Sequence, residues 1–224
     1  MKNFYYFLLP LFAIFIFASC DLNIEQAPSN QIYNAASTLV YDPSGEYIFV
    51  TEDSVKLFPT SKITIPEAQK DSLLNKRYFI SFQIKDQNDK IFNINLLSMQ
   101  MMLEKHITEI ENNDLINNYK NEILNIKNLW CSGSCLNIIT EVQGSGSKLH
   151  NYNLLYNPNI KSDTLHLTLR YDNNNDTKTY TLQQALYYNL QDYLTNDSDS
   201  TTICFNYNSG YLEYNTLYIK IASK

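Results

Sequence analysis

The sequence predicts an all-β protein, a small β-barrel followed by a β-sandwich, behind an N-terminal export leader. Three observations carry that reading. Strand-forming aromatics are abundant, with 18 Tyr and 11 Phe in 224 residues, and such rings suit a pleated, half-buried surface. Apolar residues make up 44% and charged ones 18%, so a packed core forms, while 5 Gly and 6 Pro are too few for a collagen-like or low-complexity chain. Short alternating apolar segments recur between polar turns. A net charge of −6 opposes the basic footprint that phosphate backbones demand, which disfavours nucleic acid as a partner.

The leader comes first. One cation, Lys2, precedes an apolar run over residues 4–17 broken only by Pro10, and Ala18-Ser19-Cys20 follows. A charged start, an apolar middle and small residues before the cut describe a signal peptide over residues 1–19. At about 1.5 Å per residue, residues 4–19 would reach about 24 Å as a helix, short of a ~30 Å hydrocarbon core, which argues against a permanent span.

Phe17-Ala18-Ser19-Cys20 resembles the lipobox of bacterial lipoproteins, with Phe17 where an aliphatic residue is usual. The resemblance implies that the Cys20 thiol carries diacylglycerol and becomes the new N-terminus. Each buried CH₂ contributes about 0.8 kcal/mol, so one acyl chain anchors marginally and two or three anchor stably. Residues 20–40 are expected to be the acylated Cys20 and a flexible tether, because the stretch is polar, holds Pro28 and shows neither helix nor strand period.

Residues 41–104 are expected to be the barrel. Glu46 to Thr51 and Val55 to Phe58 flank the polar Glu52-Asp53-Ser54, as in a hairpin. Tyr78, Ile80, Phe82 and Ile84 alternate with Phe79, Ser81, Gln83 and Lys85. After Asp86-Gln87-Asn88-Asp89, Phe92, Ile94 and Leu96 alternate with Asn93 and Asn95. Four or five strands in about 60 residues suit a barrel of OB type. Residues 105–122, rich in Asn and Glu with Ile107, Ile110 and Leu115 at irregular spacing, read as a linker with one or two helical turns.

Residues 123–224 are expected to be the sandwich. Leu124 to Trp130 and Leu136 to Val142 flank Ser132-Gly133-Ser134; Gly144-Ser145-Gly146-Ser147 precedes Leu149 to Tyr156. Leu165 to Tyr171 alternates up to the Asn173-Asn174-Asn175 turn, and Ile203 to Tyr207 and Leu217 to Ile221 add two strands. Residues 180–190 fit period 2, yet Leu182, Leu186, Leu190 and Leu194 also fit i, i+4, so pattern alone leaves strand and helix open.

The leader with Cys20, the stretch from Gly45-Glu46-Tyr47-Ile48-Phe49 through Lys76-Arg77-Tyr78-Phe79-Ile80, Ile126-Lys127-Asn128-Leu129-Trp130 with Cys135-Leu136-Asn137-Ile138, and Leu167-Thr168-Leu169-Arg170 before an Asn-rich turn resemble the NigD-like lipoproteins of Bacteroidota. The resemblance implies an OB-like N-terminal domain, a C-terminal β-sandwich and a cell-envelope address, lipid-anchored to the outer membrane. Whether the protein faces the periplasm or the outside stays open. It favours a strand for 180–190 and supplies no catalytic residues. Where the family often has His-Asn after its Leu-Arg pair, this chain has Tyr171-Asp172.

The chemical candidates are few. Cys131 and Cys135 bracket a three-residue loop, so a hairpin would set them opposite one another at about 4.5–5.5 Å between Cα atoms, within disulfide range; free thiols are the alternative. Cys204 sits on the strand face opposite Ile203, Phe205 and Tyr207, where it would be exposed. His106, His150 and His166 are too isolated to form a zinc site, and His150 reads as a hydrogen-bonded histidine at the core edge. Asp172-Asn173-Asn174-Asn175-Asp176 imitates half an EF-hand loop but has Thr177 and Gln183 where Gly and Glu are needed, so an Asx turn is expected. Gly144-Ser145-Gly146-Ser147 is not a nucleophile elbow. No catalytic residue, metal or cofactor is therefore expected. The expected function is a non-catalytic envelope lipoprotein that binds a protein partner, and the resemblance to the NigD-like family implies an immunity or accessory role in a bacteriocin-type locus. A glycan-binding outer-membrane lipoprotein of an uptake system, with Tyr and Trp130 stacking on sugars, is the alternative, and an envelope hydrolase is third.

Overall fold

A computed structural model describes residues 30–194, 200–210 and 215–222. The leader and Cys20 lie outside the described residues.

Five strands close a barrel: β1 (Tyr33–Tyr41), β2 (Tyr47–Val50), β3 (Lys56–Pro59), β4 (Arg77–Asn88) and β5 (Ile91–Met101), in spatial order β1-β2-β3-β5-β4. β1 pairs antiparallel with both β2 and β4, which shuts the sheet on itself and removes the edges there. β3 runs parallel to β5 over only four residue pairs, ending at Pro59↔Ile94. The alternation read from the sequence points Tyr78, Ile80, Phe82 and Ile84 inward against Leu39, Phe49, Leu57, Phe92 and Ile94. Between β3 and β4 the chain turns through the short helix α1 (Lys70–Leu73), where Leu73 and Leu74 with Ile63 and Ile65 pack on that core. The Tyr78 hydroxyl donates to the Leu73 carbonyl at 3.0 Å, which ties the helix to the strand below it.

Among the described residues, nine further strands make two packed sheets. They are β6 (Leu103–Lys105), β7 (Ile107–Glu109), β8 (Asn125–Ser132), β9 (Cys135–Gly144), β10 (Asn151–Tyr156), β11 (Thr164–Asp172), β12 (Tyr180–Asn189), β13 (Ser200–Tyr207) and β14 (Asn215–Ala222). One sheet has the order β14-β13-β11-β10-β7 and the other β6-β12-β9-β8. Leu136, Ile138, Leu154, Leu167, Leu186, Tyr188, Ile203 and Phe205 fill the space between them.

Several expectations change. Residues 33–40, expected within the tether, join Tyr41 in forming β1, because pairing with β2 on one side and β4 on the other outweighs a weak local pattern of Ala and Ser. The expected linker yields β7 and a 3₁₀ turn over Asn113–Asn118, whose Asn112 carboxamide accepts from the Asp114 and Leu115 amides. β6 and β7 are parted only by His106 yet join different sheets, each parallel to a strand distant in sequence, β12 and β10. Residues 180–189 are a strand, as the resemblance implied, paired over ten residues with β9.

Candidate functional site

From Cys135 to Thr140, β9 is buried on both faces. One side meets the sandwich core, and the other presents Ile139 to the barrel, where Ala36, Met102 and Ala185 join it with Phe79, Trp130 and Tyr187 around them. The Phe79 and Trp130 rings lie 5.8 Å apart. This apolar seam joins the barrel to the sandwich.

Arg77, the first residue of β4, fastens the rim of the seam. It is buried, and its guanidinium donates from Nε to Asn137 Oδ1 at 3.1 Å, from Nη2 to Ser132 Oγ at 2.6 Å and from Nη1 to the Glu52 carboxylate. Its carbon lies 5.6 Å from the centre of the Tyr187 ring. Asn137 Nδ2 in turn donates to Ser132 Oγ at 2.9 Å. One planar fork thus gathers the β2–β3 turn, the β8–β9 hairpin and β12, a task for which a lysine point charge is unsuited. Gly133 is required here: its φ of +54° is left-handed, and a Cβ would lie 2.8 Å from Glu52 Oε2. Sequence reasoning passed over Arg77. A signal existed, since the chain has only two arginines, Arg77 and Arg170, and both are buried.

A second polar lock closes one end of the sandwich. The segment between β9 and β10 and the segment between β11 and β12 both cross from one sheet to the other, and Asp176 of the second ties them together. Its Oδ2 accepts from the Ser145 amide at 2.8 Å and the Gly146 amide at 3.0 Å; its Oδ1 accepts from Ser145 Oγ at 2.5 Å and Ser147 Oγ at 2.9 Å. His150 Nε2 lies 3.2 Å from Oδ2, and His150 Nδ1 lies 2.8 Å from the Tyr171 hydroxyl. The hydrogen bond from Ser145, followed by those from His150 and Ser147, favours the charged form and holds the Asp176 carboxyl well below the usual carboxylate range. Gly144 permits the approach, because a Cβ there would lie 2.7 Å from Asp176 Oδ2.

Ser, His and Asp therefore meet, but not as a nucleophilic triad. The serine bonds the aspartate and not the histidine, and both imidazole nitrogens are engaged, so the ring has no lone pair aimed at a serine proton. Burial pushes the Tyr171 phenol far up, which suits a hydroxyl that stays neutral and donates to His150.

Asp172 and Asn173 accept from the Asn174 and Asn175 amides at 2.8 and 2.9 Å, the Asx geometry expected of that turn. His150 is buried and hydrogen-bonded. Cys131 and Cys135 do not face each other: the turn spans two residues, Gly133 and Ser134, so Ser132 pairs with Cys135 and Cys131 with Leu136. A one-residue slip in register moves a side chain to the other face, and no disulfide joins the two cysteines. Burial, then the neighbouring Cys135, pushes the Cys131 thiol up to about 12, which suppresses the reactive thiolate. Cys204 is buried and not exposed, because Tyr218 of β14 stands directly across from it. Trp130 is packed into the seam against Phe79 and is not free as a stacking platform.

Residues 105–221 match the model of the NigD-like C-terminal beta sandwich domain. No curated protein matches the chain. Among solved structures, a protein of unknown function from Bacteroides vulgatus is 21% identical and superposes with a TM-score of 0.67 over 87% of this chain and 92% of its own. A NigD-like immunity protein from Bacteroides caccae is 14% identical, with a TM-score of 0.59 over 89% of this chain and all of its own. A protein of Bacteroides fragilis described as a lipoprotein is 15% identical, with a TM-score of 0.56 over 87% and 99%. At these identities the likeness shows the fold, a barrel and sandwich shared over nearly the whole length. The matched domain takes in just over half of the residues and coincides with the two sheets described above, and the chain belongs to the NigD-like family.

Proposed function

We propose that this is a non-catalytic lipoprotein of the cell envelope, anchored to the outer membrane through acylated Cys20, whose barrel and sandwich together bind a protein partner in an immunity or accessory role. The observation that carries the reading is full-length likeness to a NigD-like immunity protein, joined to a leader that ends in Ala18-Ser19-Cys20. Among the described residues no helix is long and apolar enough to cross a membrane, and this reading places the anchor at Cys20. The two polar locks support a binding role: their charged groups are spent on holding loops together, which yields a rigid surface. The glycan alternative draws no support from Trp130, which is committed to the seam.

The test is affinity capture with the full chain, extracted in detergent from envelopes after mild cross-linking, run beside a glycan array. The expected result is one defined envelope or secreted protein, recovered again when that protein is the bait, and no retained glycan. Specific glycan retention competed by free sugar, with no protein recovered in either direction, would overturn the reading.

A further inference from the structure

β5 is paired on both sides only at its start. β3 leaves it at Pro59↔Ile94, and the last backbone contact on that side is the Thr60 amide donating to the Ile94 carbonyl. From Asn95 to Met101, β4 is the only strand that pairs with β5 among the described residues. Along this one-sided stretch Leu97, Met99 and Met101, with Leu103 just after it, stand 37–45% exposed. No charge and no proline occurs from Ile91 through Leu103, and every methionine except Met1 falls at positions 99, 101 and 102. Natural edge strands are normally blunted by lysine, proline, a bulge or a covering element; here the one register shift against β4 in this stretch leaves Leu97 unpaired, and Ser98 to Met101 pair with β4 in unbroken register. Flexible thioethers are favoured at surfaces that accept varied partners. The strand is held ready, because on its other face Gln100 donates to the Gln183 carbonyl at 3.2 Å and Met102 is buried in the seam.

Three occupants compete. A lipid surface is a poor one, since hydrocarbon leaves the amides and carbonyls of a sheet edge unsatisfied. A second globular copy is also poor: four partly exposed side chains offer on the order of 400 Å² of apolar surface, about half of what each partner contributes to a standard interface. An extended peptide answers both objections, because it gains its affinity from main-chain hydrogen bonds and needs only a narrow apolar stripe for alternate side chains. We propose that the free edge of β5, residues 95–101, accepts an added strand from a partner protein, an extended segment with apolar, uncharged residues at alternate positions. This rests on the protein-binding reading above and names the surface and the chemistry of its partner.

The test uses the full chain in detergent and a displayed library of linear nine-residue peptides, with an enriched sequence then synthesised as the probe. The expected result is enrichment of uncharged, alternating apolar peptides whose binding falls at least tenfold with Met99→Lys and with Met101→Lys. Loss of binding when alternate peptide amides are N-methylated is expected as well, since that step removes main-chain donors and leaves the side chains. Both positions are nearly half exposed, so both variants should keep the wild-type thermal midpoint. Failure to enrich any peptide, peptides that bind the lysine variants equally, tolerance of N-methylation, a dimer dissolved by Met101→Lys, or vesicle binding lost with that substitution would each overturn the proposal. A partner captured equally by wild type and Met101→Lys would sink the edge assignment and leave the protein-binding reading standing; absence of any captured protein removes both.

Discussion

Arg77→Ala is expected to destabilise the protein by about 3 kcal/mol, toward the lower end of what breaking a buried charged pair costs. The substitution strips Asn137 Oδ1 and Ser132 Oγ of a donor and leaves the Glu52 carboxylate without its cation. Glu52 keeps partial access to water, with 27% of its side chain exposed, which places the effect at that lower end. Arg77→Lys should recover only part of the loss, because an ammonium cannot span Asn137, Ser132 and Glu52 in one plane. The readout is built in. Trp130 is the only tryptophan and lies in the seam against Phe79, so urea unfolding followed by tryptophan emission reports on the junction itself. A red-shifted native spectrum and a transition that splits in two are expected for Arg77→Ala. Wild-type emission with an unchanged midpoint would show that the apolar seam alone joins the modules.

The second large effect is acid sensitivity from the Asp176 lock. Hydrogen bonds from Ser145, His150 and Ser147 depress this carboxyl in the folded protein, while in the unfolded chain it titrates near the ordinary aspartate value of about 3.9. Its contribution to stability is therefore complete above that value and is lost as pH falls through it toward the depressed folded value. Asp42, depressed by hydrogen bonds from Ser44 and Lys56, acts in the same direction. So does Asp172, where the bonds from Lys120 and Asn174 outweigh the upward push of burial. The diagnostic is the difference between two proteins. Wild type should lose thermal stability steeply between about pH 5 and pH 2, whereas Asp176→Asn should start lower at neutral pH and show a shallower decline. Parallel curves for the two would mean that Asp176 is not the group that titrates.

The legible parts of the sequence were those in which one strand carries its own signal. Tyr78 to Ile84 and Leu165 to Tyr171 alternate cleanly because one face of each meets a core, and the Asn-rich turn after Asp172 is local chemistry. The unread parts depend on distant partners. Residues 33–41 are a strand because β2 and β4 flank them, and β6 and β7 are three-residue pieces paired in parallel with β12 and β10 across long stretches of chain. No local period can announce such pairings. The resemblance to the family settled the strand at 180–189 where the coincidence of period 2 with i, i+4 could not. Both polar locks escaped for the same reason. Arg77 meets Asn137 across 60 positions and Asp176 meets Ser145 across 31, so each site exists only once the sheets are stacked. The cysteine hairpin turned on a single residue of loop length, which decides whether two side chains share a face.

The proposed envelope address rests above all on lipid at Cys20. The direct measurement is metabolic labelling of cells with tritiated palmitate, comparing the wild-type chain with Cys20→Ser and fractionating the membranes. The prediction is label on the wild-type protein, recovered with the outer membrane, and none on the variant. An unlabelled wild-type protein recovered from the soluble cell interior would contradict it.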